Sequence, residues 1–203
     1  MTLNAVVDER ALRELYLTGF EMAVKEGKPA ALMTSYNQVN GLQSNENPQL
    51  MLDILRDEWG YDGLVVTDWG GSDDHIRGIQ CRTTLEMPNP GLYAAREVLR
   101  AVERGELSEA EIDVCLRDYF RTLRRAAVQA KKAVPVDPLR QHALARRAAR
   151  ESAVLLKNDG ILPLSGEETV ALIGDFAFMP RYQGAGSSLV NSRRVETLRG
   201  QLS

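Results

Sequence analysis

Leu64-Val65-Val66-Thr67-Asp68-Trp69 is the stretch on which the reading of this chain turns. Its first four residues form a near-continuous apolar run, the signature of a strand buried on both faces. Gly60 and Gly63 bracket a turn just before it. Upstream of that turn, Asn47-Pro48 reads as an N-cap followed by proline at the first helical position, so a helix is expected to about Glu58. Ala30–Ser35 reads as another short buried strand, followed by the polar turn Asn37–Gly41. Further back, Asp8 opens a helical pattern in which Leu12, Leu15, Phe20, Ala23 and Val24 recur, and Gly27 with Pro29 ends it. Two βα units in succession imply an α/β fold with a parallel sheet and crossover helices.

Downstream, Thr83–Met87 is expected as a third short strand, and a helix from Leu92 to about Arg104 is closed by Gly105. Ser108 and Glu111 have the spacing of a capping box and start an amphipathic helix through Ile112, Leu116, Tyr119, Phe120 and Leu123. The character changes after Ala133. Val134-Pro135-Val136-Asp137-Pro138 looks like a linker ending in an N-cap, and Thr169–Ile173 is expected to form a new buried strand beyond a connecting helix. The division is therefore 1–133, 134–168 and 169–203.

The net charge of −3 and the short basic clusters Arg146-Arg147 and Arg193-Arg194 give no sign of a nucleic-acid partner. No apolar run approaches the roughly 20 residues of a transmembrane helix, so no membrane partner is expected. The first seven residues lack the features of a signal peptide. Cys81 and Cys115 lack metal or redox spacing and read as reduced core thiols, consistent with a cytoplasmic location. No His/Cys/Asp cluster has metal spacing, and no cofactor is expected. Gly184-Ala185-Gly186-Ser187-Ser188 invites a phosphate-loop reading, but it lacks the lysine and the last glycine such loops need.

In parallel α/β folds, functional groups collect where strands end and loops lead into helices. Met33, Tyr36 and Asn37 sit at one such end, Thr67, Asp68 and Trp69 at the second, Glu86 and Met87 at the third. A carboxylate there can attack an anomeric carbon, and a neighbouring indole can pack against a pyranose face. The plainer readings stand beside these. Asp68 would serve equally as an N-cap and Trp69 as a core residue. Asp73 and Asp74 are most simply helix-start residues, and His75 is a lone histidine on a polar turn.

Several segments together resemble one family, the glycoside hydrolase family three β-glucosidases. They are Val7-Asp8-Glu9-Arg10 with Leu12-Arg13-Glu14, Met33-Thr34-Ser35-Tyr36-Asn37-Gln38-Val39-Asn40-Gly41, Leu55 to Gly63 running into Leu64–Trp69, and Leu85-Glu86-Met87-Pro88. Val154-Leu155-Leu156-Lys157-Asn158, Leu162-Pro163-Leu164 and Tyr182–Ser188 continue the match in order. The resemblance implies the C-terminal part of a (β/α)8 TIM-type barrel, then the start of an α/β sandwich domain. It implies Asp68 as the nucleophile of a retaining double displacement, with a partner carboxyl about 5–5.5 Å away. Trp69 would stack on the sugar, Met33 and Tyr36 would contact it, and Ser187, with Ser188 a close rival, would reach it from the sandwich loop.

The implied substrate is a β-glucoside or a short β-linked oligosaccharide, and a homo-oligomer is left open for the full-length protein. Trp69 favours glucosidase over the family's β-xylosidases, where a cysteine is expected after the nucleophile. A non-catalytic sugar-binding or interaction remnant of the same fold is the other alternative. By the same resemblance the earlier barrel units precede this sequence and the acid/base glutamate lies beyond Ser203. The chain alone is then expected to be an incomplete and inactive fragment. Arg82 departs from the family, which places a small residue, usually glycine, there.

Overall fold

The computed structural model describes residues 3–132 and 134–202. The expected boundary residue Ala133 lies outside them. Asp8 caps the first helix, its side chain accepting from Ala11 N at 2.9 Å. This helix, α1, covers residues 9–27 with α- and π-wound turns alternating, and it stops where Lys28 turns left-handed at φ 47°. Strand β2 (Ala31–Met33) follows, β1 being the short Asn4–Ala5. Helix α2 (Gln49–Glu58) is π-wound and starts behind Asn47, whose Oδ1 accepts from Leu50 N at 3.3 Å, with Pro48 in between. Strand β5 (Leu64–Val66) then returns beside β2 in parallel register, Ala31 opposite Leu64 and Met33 opposite Val66. These are the two βα units implied by the hydrophobic runs.

The turn that β5 leaves behind is tight for a stated reason. A Cβ on Gly63 would sit 2.5 Å from the Tyr61 hydroxyl and 2.7 Å from the Ala30 carbonyl, so only glycine fits. Val65 and Thr67 are almost wholly buried, and a core of Val24, Met51, Leu55, Tyr61, Val65 and Cys81 forms around them. Leu32 and Trp59 pack against it.

Two expectations about strands need correction. The segment Asn37–Gly41 is not only a turn. Gln38–Val39 (β3) and Leu42–Gln43 (β4) pair antiparallel across Asn40-Gly41, both at positive φ as a two-residue hairpin turn requires. β1 joins β3 in parallel. The third strand over Thr83–Met87 shrinks to a single parallel bridge between Val66 and Leu85, and the ladder goes no further there because Met87 N donates to the Thr67 hydroxyl instead of a backbone carbonyl.

Beyond it, α3 (His75–Gln80), α4 (Leu92–Glu103) and α5 (Glu109–Ala130) follow. Ser108 and Glu111 make both halves of the capping box. On the outer side of β5, Arg82 grips the buried carboxylate of Asp118 on α5 with two hydrogen bonds, 2.7 and 2.9 Å. Arg56 donates to the Tyr61, Gly63 and Arg82 carbonyls and lies 3.7 Å from the same carboxylate.

The chain divides into two compact units, 1–135 and 136–203. In the second, Asp137 caps α6 (Pro138–Glu151), and Glu196 holds His142 and Arg146 of that helix at 2.9 and 3.0 Å. A short helix, α7 (Leu198–Leu202), lies at its end. The buried strand expected at Thr169–Ile173 is not formed. The segment has no ladder partner among the described residues, and Ile173 is 92% exposed. Apolar, β-branched residues favour extended backbone, but only a hydrogen-bonded neighbour makes it a strand.

Candidate active site

The ends of β2 and β5 bring Tyr36 and Asp68 together. The Asp68 carboxylate beside Tyr36, together with partial burial, holds the phenol above its ordinary range. Asp68 is half-buried, and its Oδ1 accepts from Trp69 N at 2.7 Å. It caps no helix: α3 starts at His75, and its cap is Asp74, which accepts from Arg77 N at 2.9 Å. Trp69 is not a core residue either, being 61% exposed. Met33, one residue past the middle of β2, is also exposed.

The backbone around Asp68 is fixed from three sides. Thr67 N donates to the Leu85 carbonyl at 3.0 Å, and Gly70 N donates to the Met87 carbonyl at 2.9 Å. The Thr67 hydroxyl donates to that same carbonyl at 3.1 Å and accepts from Met87 N at 2.8 Å. Glu46, buried in the turn before α2, accepts from Asp73 N, Asp74 N and the Ser72 hydroxyl at 2.6, 2.9 and 3.2 Å. A Cβ on Gly71 would meet the Ser35 carbonyl at 2.9 Å, which keeps the loop close to the end of β2. A carboxylate on so constrained a backbone loses little entropy on meeting an electrophile.

Sequence reasoning did not single out Glu46. It stands in the polar run Ser44-Asn45-Glu46-Asn47, and its three bonds reach 26 to 28 residues ahead. It also missed that His75 and Glu86 form a pair, Nδ1 to Oε2 at 2.7 Å, with Glu97 3.9 Å from the other ring nitrogen.

Ser187 belongs to the second unit, on the exposed turn Gly186–Ser188; Ser188 donates to the Ala185 carbonyl at 3.2 Å. A cleft of about 490 Å³ lies between α1, β2 and α2, lined by side chains such as Leu12, Phe20, Leu32 and Met51. Of the expected site residues only Met33 touches it, and no carboxylate lines it, so it is not where glycoside chemistry would occur. Among the described residues, no group of three or more His, Cys, Asp or Glu side chains could hold a metal ion. No helix among them is long and apolar enough to cross a membrane.

Known proteins carry the same pattern. The thermostable beta-glucosidase B of Acetivibrio thermocellus is 41% identical over 199 residues, covering 98% of this chain and 26% of that protein. An exo-alpha-(1->6)-L-arabinopyranosidase of Bifidobacterium longum is 36% identical, covering 96% of the chain and 27% of its own length. The chain thus spans about a quarter of the length of these curated relatives. Among solved structures, beta-glucosidase 3B from Thermotoga neapolitana in complex with glucose superposes with a TM-score of 0.88 at 33% identity, over 98% of this chain and 29% of that one. The βα units of the first unit are accordingly the C-terminal part of a TIM-type barrel. Residues 2–118 match the family described as glycosyl hydrolase family 3 N terminal domain. The chain belongs to glycosyl hydrolase family 3.

Proposed function

We propose that this chain supplies the nucleophile half of a retaining β-glucosidase, and that Asp68 is the nucleophile. The observation that carries the reading is the place of Asp68 just past the end of β5, on a backbone held on both sides by Leu85 and Met87, with Tyr36 from the end of the adjoining β2 beside it. It places a half-buried carboxylate, with no helix to cap, beside an exposed indole. In the first step Asp68 attacks the anomeric carbon, and the glycosidic C–O bond breaks as the ester forms. Tyr36, beside the carboxylate, would steady the oxygen that does not attack. Trp69 would cover the apolar face of the sugar, with Met33 beside it. Water then cleaves the ester, and two inversions give retention.

The proton for the leaving group would come from an acid outside this sequence, with Ser187 contacting the sugar from the sandwich loop. On this reading 134–168 is the linker and 169–203 opens the sandwich domain. The substrate is a terminal β-glucoside. Relatives named for β-glucosidase and for arabinopyranosidase both align along the chain, and the glucosyl preference rests on the former being the more similar. The cytoplasm is the proposed location, from the reduced thiols.

The test is mass spectrometry after incubation with a 2-deoxy-2-fluoro-β-glucoside bearing a good leaving group, whose fluorine slows breakdown of the ester. It is run on the chain alone and on a chimera in which the chain replaces the matching segment of the Acetivibrio enzyme. The expected result is an adduct on the Asp68 peptide of the chimera, none on the isolated chain, and none after Asp68→Asn. An adduct on a different carboxylate, or turnover surviving Asp68→Asn, would sink the assignment.

A further inference from the structure

Asp68 sits in a loop whose two ends are tied to each other. Seven residues beyond it, His75 opens α3, and its Nδ1 meets Glu86 Oε2 at 2.7 Å. Glu86 is flanked by the two residues that hold the backbone on either side of Asp68. Leu85 accepts from Thr67 N, and the single carbonyl of Met87 accepts from both the Thr67 hydroxyl and Gly70 N. The covalent path from Asp68 to His75 and the hydrogen-bonded path through Glu86 and Met87 therefore close a ring. Both side chains of the pair are mostly shielded, at 15% and 25% exposure, so the bond competes weakly with water.

We propose that His75 is a positioning residue for Asp68, acting through Glu86 to hold the Met87 carbonyl against Gly70 and Thr67. With a carboxylate on Nδ1 the ring carries its proton there, and the other nitrogen faces Glu97 on α4 at 3.9 Å. Glu97 is too far for a direct hydrogen bond and leaves Glu86 as the partner that sets the ring's orientation. Cutting the pair removes the tie between the 85–87 segment and α3 and leaves Leu85 and Met87 to their bonds with Val65, Thr67 and Gly70, so the Asp68 loop loosens on the side toward Gly70. The idea rests on Asp68 being the nucleophile, but the geometry it invokes is present without substrate.

Two arms test it separately. In the first, amide hydrogen exchange of Gly70 is compared with that of Trp59, whose N–H donates to the Ile54 carbonyl at 3.0 Å in a different part of the unit. His75→Ala should speed Gly70 exchange about tenfold, the worth of one charge-assisted hydrogen bond, with Trp59 unchanged. His75→Asn, which returns an N–H donor near the Nδ1 position, should restore protection. Glu86→Ala cuts the pair from its more exposed side and should reproduce the loss, even if His75→Ala unfolds the chain. No change at Gly70, an equal rise at Trp59 in both variants, or no rescue by asparagine would overturn the positioning role. In the second arm, the rate of adduct formation on Asp68 in the chimera should fall with His75→Ala and recover with His75→Asn. An adduct elsewhere in the wild-type chimera would overturn the nucleophile assignment and leave the exchange result standing by itself.

Discussion

Helix α2 has two neighbours and meets them with opposite chemistry. Toward α5 it presents Arg56, 3% exposed in its side chain, to a buried carboxylate shared with Arg82. Toward α1 and β2 it presents Met51, Ile54 and Leu55 to an apolar cleft. The first contact is directional: Arg56 reaches three named carbonyls, and Asp118 takes the Arg82 guanidinium side-on through both oxygens. The second is set by area and shape alone. A buried ion pair adds little net stability over a well-packed apolar substitute, but it is costly to leave half-made. The polar side therefore fixes where α5 sits, and the apolar side supplies most of the cohesion.

The sharpest way to break this contrast is Asp118→Ala. It strands Arg82 and Arg56 together without their anion, and Arg56 already has a buried Nε without a partner. Burial and the Arg82 charge both lower the Arg56 pKa from its ordinary value, with Asp118 the opposing influence. The expected loss is about 3–5 kcal/mol in urea unfolding. A loss under about 1 kcal/mol would show that water reaches the site and that the staple is ornamental.

The next effect is one of pH and touches both sides of α2. Tyr61 packs in the core, lies 5.1 Å under the Arg56 guanidinium and donates to the Leu64 carbonyl at 2.9 Å. Burial pushes its phenol up from 10.0 to about 12, and likewise pushes the Cys81 and Cys115 thiols up from 9.0 to about 11. These acids are neutral in the fold and ionise first in the unfolded chain. Their contribution is complete below the unfolded pKa and is lost as pH rises through the folded one. Stability should therefore fall between pH 9 and 12, with Tyr61 accounting for about 2–3 kcal/mol of the total. Urea midpoints across that range should show it, and Tyr61→Phe should flatten the limb above pH 10. An unchanged slope in that variant would remove Tyr61 from the account.

On the apolar side, Leu55→Ala should cost about 2 kcal/mol, the low end for a buried leucine. Leu55 lines both the core and the cleft, so the space it vacates can relax or fill from one open wall. A cost as large as that of Asp118→Ala would mean that the cleft is packed more tightly than its width implies.

What the sequence disclosed follows the range of the interaction. The caps at Asp8, Ser108 with Glu111, and Asp137 were legible because each side chain bonds backbone within three residues of itself. The parallel strands were legible from their apolar runs. Asn40-Gly41 carries a hairpin signal, but its strands are two residues long and carry one apolar residue each, too short to show an alternation, so they read as turn. Thr169–Ile173 carried a strand pattern without a partner to satisfy it. At the site, Asp68 and Trp69 stood out by their place after a buried run; Tyr36 was placed at a strand end, but its part in the site came through the resemblance, since Asp68 lies one βα unit further along the chain. Glu46 and the His75–Glu86 pair were hidden because nothing local marks a polar residue whose partner lies 11 to 28 residues away.

Arg82 gives the finest test. The family resemblance put a small residue, usually glycine, here, and the backbone suits glycine: φ is +62°, a left-handed conformation that glycine adopts freely and other residues adopt at a cost of roughly 1–2 kcal/mol. Arginine occupies it because the side chain, neither crowding the barrel interior nor dangling outward, returns a bidentate pair to Asp118. That bond holds the Arg82 pKa above its usual value. Arg82→Gly therefore removes strain and a salt bridge at once. Asp118 keeps Arg121 at 3.3 Å and Arg56 at 3.7 Å, so its charge is not abandoned. The two terms nearly offset, and the net loss should be about 1 kcal/mol, well below that of Asp118→Ala. Arg82→Ala separates them, since it loses the pair while keeping most of the strain, and it should be the less stable of the two by about 1 kcal/mol. If the glycine and alanine variants unfold at the same urea concentration, the left-handed strain is absent, and the staple alone explains why arginine serves at this position.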